Sequence, residues 1–159
     1  MKTMVLMLSL AAALVAQTDT GVAAANVHTV RFRSVALGAE RMFNILLPAD
    51  YEKSARRYPV LYLLHGLGDH HMMWSLRSNV SAYAEREGPI VVMPDASRSF
   101  YVNSAADAKA RFEDYIAKDL VDYVDANYRT MPLRRSRAIA GLSMGGYGAM
   151  FLGLKHYRR

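Results

Sequence analysis

Gly141-Leu142-Ser143-Met144-Gly145 is the stretch of this sequence whose residue types and spacing could do covalent chemistry. A serine hydroxyl is a weak nucleophile until the backbone presents it at an open turn beside hydrogen-bond donors. A G-x-S-x-G turn between a strand and a helix does this. The turn brings backbone close on both sides, so only glycine fits at Gly141 and Gly145. Ser143 then projects from the strand's C-terminal end. The Met144 N–H, at the start of the following helix, points to where an oxyanion would form. The chemistry implied is acyl transfer.

That turn needs a strand before it and a helix after it. Ala138 to Ala140 reads as a short buried strand, and the small residues from Gly145 onward are compatible with a helix. Further upstream, Val27 to Val35 and Arg41 to Leu47 alternate well enough to form a hairpin across a turn at Leu37–Glu40. Ala49 to Tyr58 reads as a polar surface loop. Pro59 to His65 and Pro89 to Pro94 are almost wholly apolar and β-prone, as strands buried on both faces are. Ser78 to Glu87 reads as a short amphipathic helix. A longer helix carries Phe112, Tyr115, Ile116, Leu120, Tyr123 and Val124 at core spacing, with Asp107 as its expected N-cap. Tyr128 to Arg137 is a basic loop. Strands alternating with helices predict an α/β fold with a parallel sheet, whose ligands sit at the strands' C-terminal ends. Three loops converge there: His65-Gly66-Leu67-Gly68, Asp95 to Asn103, and the Ser143 turn. A Gly-flanked loop such as Gly66–Gly68 can turn backbone N–H groups inward as a second oxyanion donor. Tyr101 and Asn103 border the substrate cleft or serve as structural turn residues.

Composition narrows the alternatives. The chain has 159 residues, 52% of them apolar, and a net charge of +6 from scattered basic residues that form no nucleic-acid stripe. Without cysteine, disulfides, thiolate metal sites and cysteine nucleophiles are excluded. Asp69, His70 and His71 beside His65 match no established zinc spacing, so no metal and no cofactor is expected. Lys2, the uncharged apolar run Met4–Ala16 and the small residues Ala23–Ala25 predict a secretory signal peptide over residues 1–25, hence a secreted or periplasmic protein with its domain at residues 26–159. That run is too short for stable membrane insertion.

The sequence resembles the putative-esterase (esterase D-like) family of the α/β-hydrolase superfamily. The resemblance rests on Tyr62-Leu-Leu-His-Gly-Leu-Gly-Asp69 with Trp74, Val92-Met-Pro-Asp95, Ser99-Phe-Tyr-Val-Asn103 and Ile139-Ala-Gly-Leu-Ser-Met-Gly-Gly146. It implies Ser143 as the nucleophile of a serine carboxylesterase, the Leu67 and Met144 N–H groups as the oxyanion hole, and His65 as a structural residue. The implied substrates are small-molecule or polysaccharide-linked acyl esters. In this superfamily the acid and then the base follow the serine. Here sixteen residues follow Ser143, with no carboxylate and one histidine, His156. Thirteen residues of helix span about 20 Å, so His156 is read as a helix-end residue. The expectation is therefore the N-terminal part of an α/β-hydrolase fold, truncated after the elbow helix and poorly active alone. It would associate or aggregate through an open sheet edge. A non-catalytic remnant or binding protein of the same fold, and an acyltransferase of the same family, are the alternatives.

Overall fold

The computed structural model describes residues 27–159. The expected signal peptide, and Asn26 with it, lie outside the described residues. Alternation at the start of the chain gives β1 (Val27–Ser34) and β2 (Ala39–Leu46), paired antiparallel with Val30 opposite Phe43. The apolar runs become β3 (Val60–Leu64), β4 (Ile90–Pro94) and β5 (Arg137–Gly141). All five strands form one sheet in the order β1-β2-β4-β3-β5. β2 meets β4 antiparallel, whereas β4, β3 and β5 run parallel. β3 therefore lies between β4 and the elbow strand, and the ends of all three parallel strands open on the same edge.

The period of two along β3 sends its side chains into two cores. Val60, Tyr62 and Leu64 face a layer holding Ile116, Leu120, Val124 and Leu152. Leu63 packs on the other face with Leu46, Val91, Met93 and Ala84, and Trp74 lies against this second core. Burying a side chain such as Leu64 or Ile90 fully contributes about 1.5–3 kcal/mol. On that second face the short helices are α1 (Met73–Arg77) and α2 (Val80–Glu87).

The longest apolar stripe forms helix from Phe112 to Asn127, but in three registers. α3 (Phe112–Asp114) passes into a π-helical segment (Tyr115–Leu120) and then α4 (Val121–Asn127). Asp119, within the wide turn, accepts hydrogen bonds from Ser34 Oγ at 2.6 Å and Ala36 N at 2.8 Å, tying helix to hairpin. Asp107 is not the N-cap. Its carboxylate accepts from Lys109 N at 2.9 Å in a local turn, and the helix starts after Arg111. The 49–58 segment is less exposed than its polarity implies: Tyr51 and Tyr58 are buried, and their rings lie 5.4 Å apart. β5 corrects a further expectation. Ala138 and Ala140 are exposed, because β5 is the sheet's edge strand and α5 (Met144–Lys155) covers only one of its faces. Among the described residues, no helix is long and apolar enough to cross a membrane.

Candidate active site

Ser143 sits between β5 and α5 with φ +55° and ψ −117°, a backbone conformation that costs a non-glycine residue about 1–3 kcal/mol. The surrounding backbone imposes it. Leu142 N donates to Leu64 O at 3.3 Å, Gly145 N to Leu142 O at 2.8 Å, and Tyr147 N to Ser143 O at 3.0 Å. A Cβ on Gly141 would lie 2.4 Å from the Gly145 carbonyl carbon. One on Gly145 would lie 2.3 Å from the Leu64 carbonyl oxygen. The helix thus starts in direct contact with β3, which leaves Ser143 on the outside of a turn that nothing else fits. Ser143 is exposed, and its side chain makes no capping hydrogen bond. Met144 N–H is the first donor of α5, one of the first-turn groups that have no partner within a helix.

The loop after β3 comes up beside this turn. A Cβ on Gly66 would be 3.8 Å from Ser143 Cβ and 3.6 Å from Leu142 O, so the two segments touch. Leu67 follows with an exposed side chain. A cleft of about 150 Å³ opens alongside, lined by His65, Gly66, Asp69, Trp74, Arg77 and Leu142.

His65 anchors the loop. It is buried, and its Nε2 accepts from Ala96 N at 3.0 Å. The proton must then sit on Nδ1, which donates to Gly66 O at 2.8 Å. With both nitrogens occupied, His65 is a strut between β3 and β4 and no base. His70 accepts from Met72 N at 3.4 Å. His71 is buried. Its Nδ1 faces Asp95 Oδ2 at 3.9 Å, beyond hydrogen-bond range. Burial pushes the His71 pKa down against the opposing pull of Asp95. His156 lies just past α5, its Nε2 2.8 Å from Glu113 Oε1. Twelve residues of helix separate it from Ser143 by about 18 Å.

The other two candidate residues turn inward. Tyr101 is fully buried with its hydroxyl donating to His65 O at 2.9 Å; burial pushes the phenol pKa up, so it stays a donor. Asn103 Nδ2 donates to Asp114 Oδ2 at 3.1 Å, and its Oδ1 accepts from Asp114 N at 3.3 Å. These contacts make Asn103 the clasp between the 97–103 loop and α3. Neither side chain lines the cleft beside Leu142, and both make internal contacts of the kind turn residues make. Gly148 has no role in the sequence reading, yet α5 passes so close to Tyr101 that a Cβ there would sit 2.4 Å from the ring. The only sequence signal was the run of small residues in Gly145-Gly146-Tyr147-Gly148-Ala149.

The sequence matches the Esterase family model, described as "Putative esterase", over residues 34–159. An esterase of Mycobacterium tuberculosis is 36% identical over 131 residues, covering 80% of this chain and 29% of the relative. The solved structure of a ferulic acid esterase superposes with a TM-score of 0.74 at 31% identity, covering 83% of this chain and 56% of that one. A fluorophosphonate-binding serine hydrolase of Staphylococcus aureus gives 0.76 at 27% identity, covering 83% and 52%. The folds of both solved proteins are of the α/β-hydrolase type, and the sheet with its flanking helices corresponds to part of that fold. The chain spans under a third of the mycobacterial relative and about half the length of these solved chains.

Proposed function

The chain belongs to the esterase family, and from that premise we propose that it is a serine carboxylesterase working through an acyl-enzyme on Ser143. The observation that carries the proposal is the strained backbone at Ser143, forced by two glycines with no room for a side chain. In the proposed reaction Ser143 Oγ attacks the ester carbonyl carbon and loses its proton. The carbonyl oxygen becomes an oxyanion received by the N–H groups of Leu67 and Met144. As the oxyanion collapses, the bond to the alcohol oxygen breaks and the alcohol leaves with a proton. Water then releases the acid from the ester on Ser143. The base is the one role left unassigned: His65 and His156 are engaged elsewhere, and among the described residues no hydrogen bond joins a histidine to Ser143.

The substrate class that fits the relatives is an ester of a small molecule or of a polysaccharide, and transfer to an acceptor other than water is a variant of the same chemistry. The residue 1–25 pattern supports export. Mass spectrometry of the product expressed with its own N-terminus tests it, and an intact Met1 on the soluble protein would refute it. A non-catalytic binding role draws on one observation, the lack among the described residues of a histidine hydrogen-bonded to Ser143.

Labelling separates the two readings. A fluorophosphonate probe should modify Ser143 and no other residue, and Ser143→Ala should neither label nor cleave p-nitrophenyl acetate above the solvent rate. Labelling elsewhere, or hydrolysis retained in Ser143→Ala, would sink the assignment.

A further inference from the structure

The loop that follows β4 holds three non-glycine residues in the left-handed region within five positions: Ser97 at φ +52°, Phe100 at +52° and Tyr101 at +61°. Such positions persist only where the surroundings over-determine them, and they cluster at functional sites. Here the result of the strain is visible. The loop reverses sharply enough to carry the Tyr101 ring beneath the elbow helix, where Gly148 leaves space for it. The ring is fully buried, and the hydroxyl meets the carbonyl of His65 at 2.9 Å. That carbonyl is also the one a Cβ on Gly145 would approach to 2.8 Å, so it lies between the phenol and the first turn of α5. The next carbonyl, Gly66 O, is held by His65 Nδ1 at 2.8 Å and by Asp69 N at 3.2 Å.

We propose that Tyr101 is a positioning residue for the oxyanion loop, its hydroxyl fixing the His65 carbonyl and thereby the peptide planes that aim the Leu67 N–H at Ser143. The proposal rests on the esterase reading above and goes beyond it by assigning a role to a side chain that never meets substrate. Without the phenol oxygen, the buried His65 carbonyl has lost its donor, and the 65–66 peptide is free to turn toward another. Gly66 offers no side chain to resist that rotation, and the 66–67 peptide that carries the Leu67 N–H is then held only by the hydrogen bonds on Gly66 O. The 97–101 loop and α5 are thus coupled to the oxyanion hole through one hydrogen bond.

The test is single-turnover acetylation of Ser143 by p-nitrophenyl acetate, followed by intact mass. In that step the acetyl–oxygen bond to p-nitrophenolate breaks, a bond to Ser143 Oγ forms, and the serine proton goes to solvent. Removing an oxyanion donor outright costs about 10²–10³-fold. A displaced donor costs less, so Tyr101→Phe should lower the limiting rate ~10-fold while the half-saturating ester concentration stays within about twofold. Tyr51→Phe is the control. Its hydroxyl is also buried and accepts from Arg129 N at 3.0 Å, but it is remote from the elbow, and the limiting rate should be unchanged. Gly148→Ala, which pushes against the ring while leaving the phenol its hydroxyl, should reproduce the loss. Amide hydrogen exchange provides a readout that does not need acetylation: the Leu67 N–H should exchange ~10-fold faster in Tyr101→Phe and not in Tyr51→Phe. Unchanged acetylation and exchange in Tyr101→Phe, or equal effects in Tyr51→Phe, would overturn the proposal. If the parent chain shows no acetylation at Ser143, the esterase reading fails, and the exchange result alone decides the role of Tyr101.

Discussion

The tightest constraint on the elbow is spatial, and Gly145→Ala measures it. The added Cβ would lie 2.3 Å from Leu64 O, 2.7 Å from Leu64 C and 2.8 Å from His65 O. Ordinary carbon contacts are near 3.5–4.0 Å, so the overlap is at least about 1.2 Å against Leu64 O and about 0.7 Å against each of the other two atoms. All three are backbone, at the end of a strand that is paired on both sides and buried but for Leu61, so no flexible side chain can yield. Overpacking where side chains can adjust costs about 1–3 kcal/mol. Here the cost should reach ~3 kcal/mol or more, a large part of a typical stability of about 5–15 kcal/mol. For a chain of this size that is a fall in Tm of ~10 °C. Gly153→Ala on the same helix is the internal comparison. Its Cβ would meet only Ile139 Cγ2, at 3.6 Å, an ordinary contact. Replacing glycine by alanine inside a helix should then raise stability by about 0.5–1 kcal/mol. Urea denaturation followed by circular dichroism reads both variants. Gly145→Ala within 1 kcal/mol of the parent would refute the idea that close approach of α5 to β3 makes the turn.

Other outcomes follow from the same geometry. Ser143→Gly should relieve about 1–3 kcal/mol of backbone strain, less about 0.4–1 kcal/mol of extra chain entropy, giving a protein ~1 kcal/mol more stable that no fluorophosphonate labels. A less stable Ser143→Gly would show that the turn carries no strain. Glu113 is buried, which would raise its carboxyl pKa, but hydrogen bonds from Lys155 and His156 outweigh this and hold it below the ordinary 4.5. Its folded pKa is depressed, so its contribution is present above about pH 4.5 and lost as pH falls through the lower folded value. Urea midpoints from about pH 6 to about pH 3 should decline, and Glu113→Gln should flatten the acid part of that decline. An unchanged slope would count against the pairing. The unpaired side of β5, with Ala138 and Ala140 exposed, should make the chain self-associate in sedimentation velocity, and Ala140→Lys should shift it toward monomer. A parent chain that is monomeric at every concentration would refute this.

Elements whose identity depends on local pattern were legible in the sequence. β3 and β4 are runs of apolar β-formers that could only be buried strands. The Gly-x-Ser-x-Gly turn was legible because close backbone approach leaves a glycine signature at fixed spacing. The long helix was legible from its stripe, but its π turn was not, because the widening is tied to Asp119's hydrogen bonds to Ser34 and Ala36, more than eighty residues away. Which face a residue sees was decided by the tertiary structure alone. Ala138 and Ala140 look like core residues and lie exposed, since strand order, which local pattern does not encode, puts β5 at the edge. For Tyr101 and Asn103, position in a loop at the right end of the sheet left both a cleft role and a turn role open. Two consecutive left-handed residues, at Phe100 and Tyr101, turn the phenol under α5, and Asp114 draws Asn103 toward α3. His71 and His65 stand six residues apart and share a residue type, yet one faces a carboxylate out of hydrogen-bond reach while the other has both nitrogens filled by backbone. A sequence records which groups can donate and accept. The distances that decide whether they do are set when strands far apart in the chain are brought to 5 Å or so from each other.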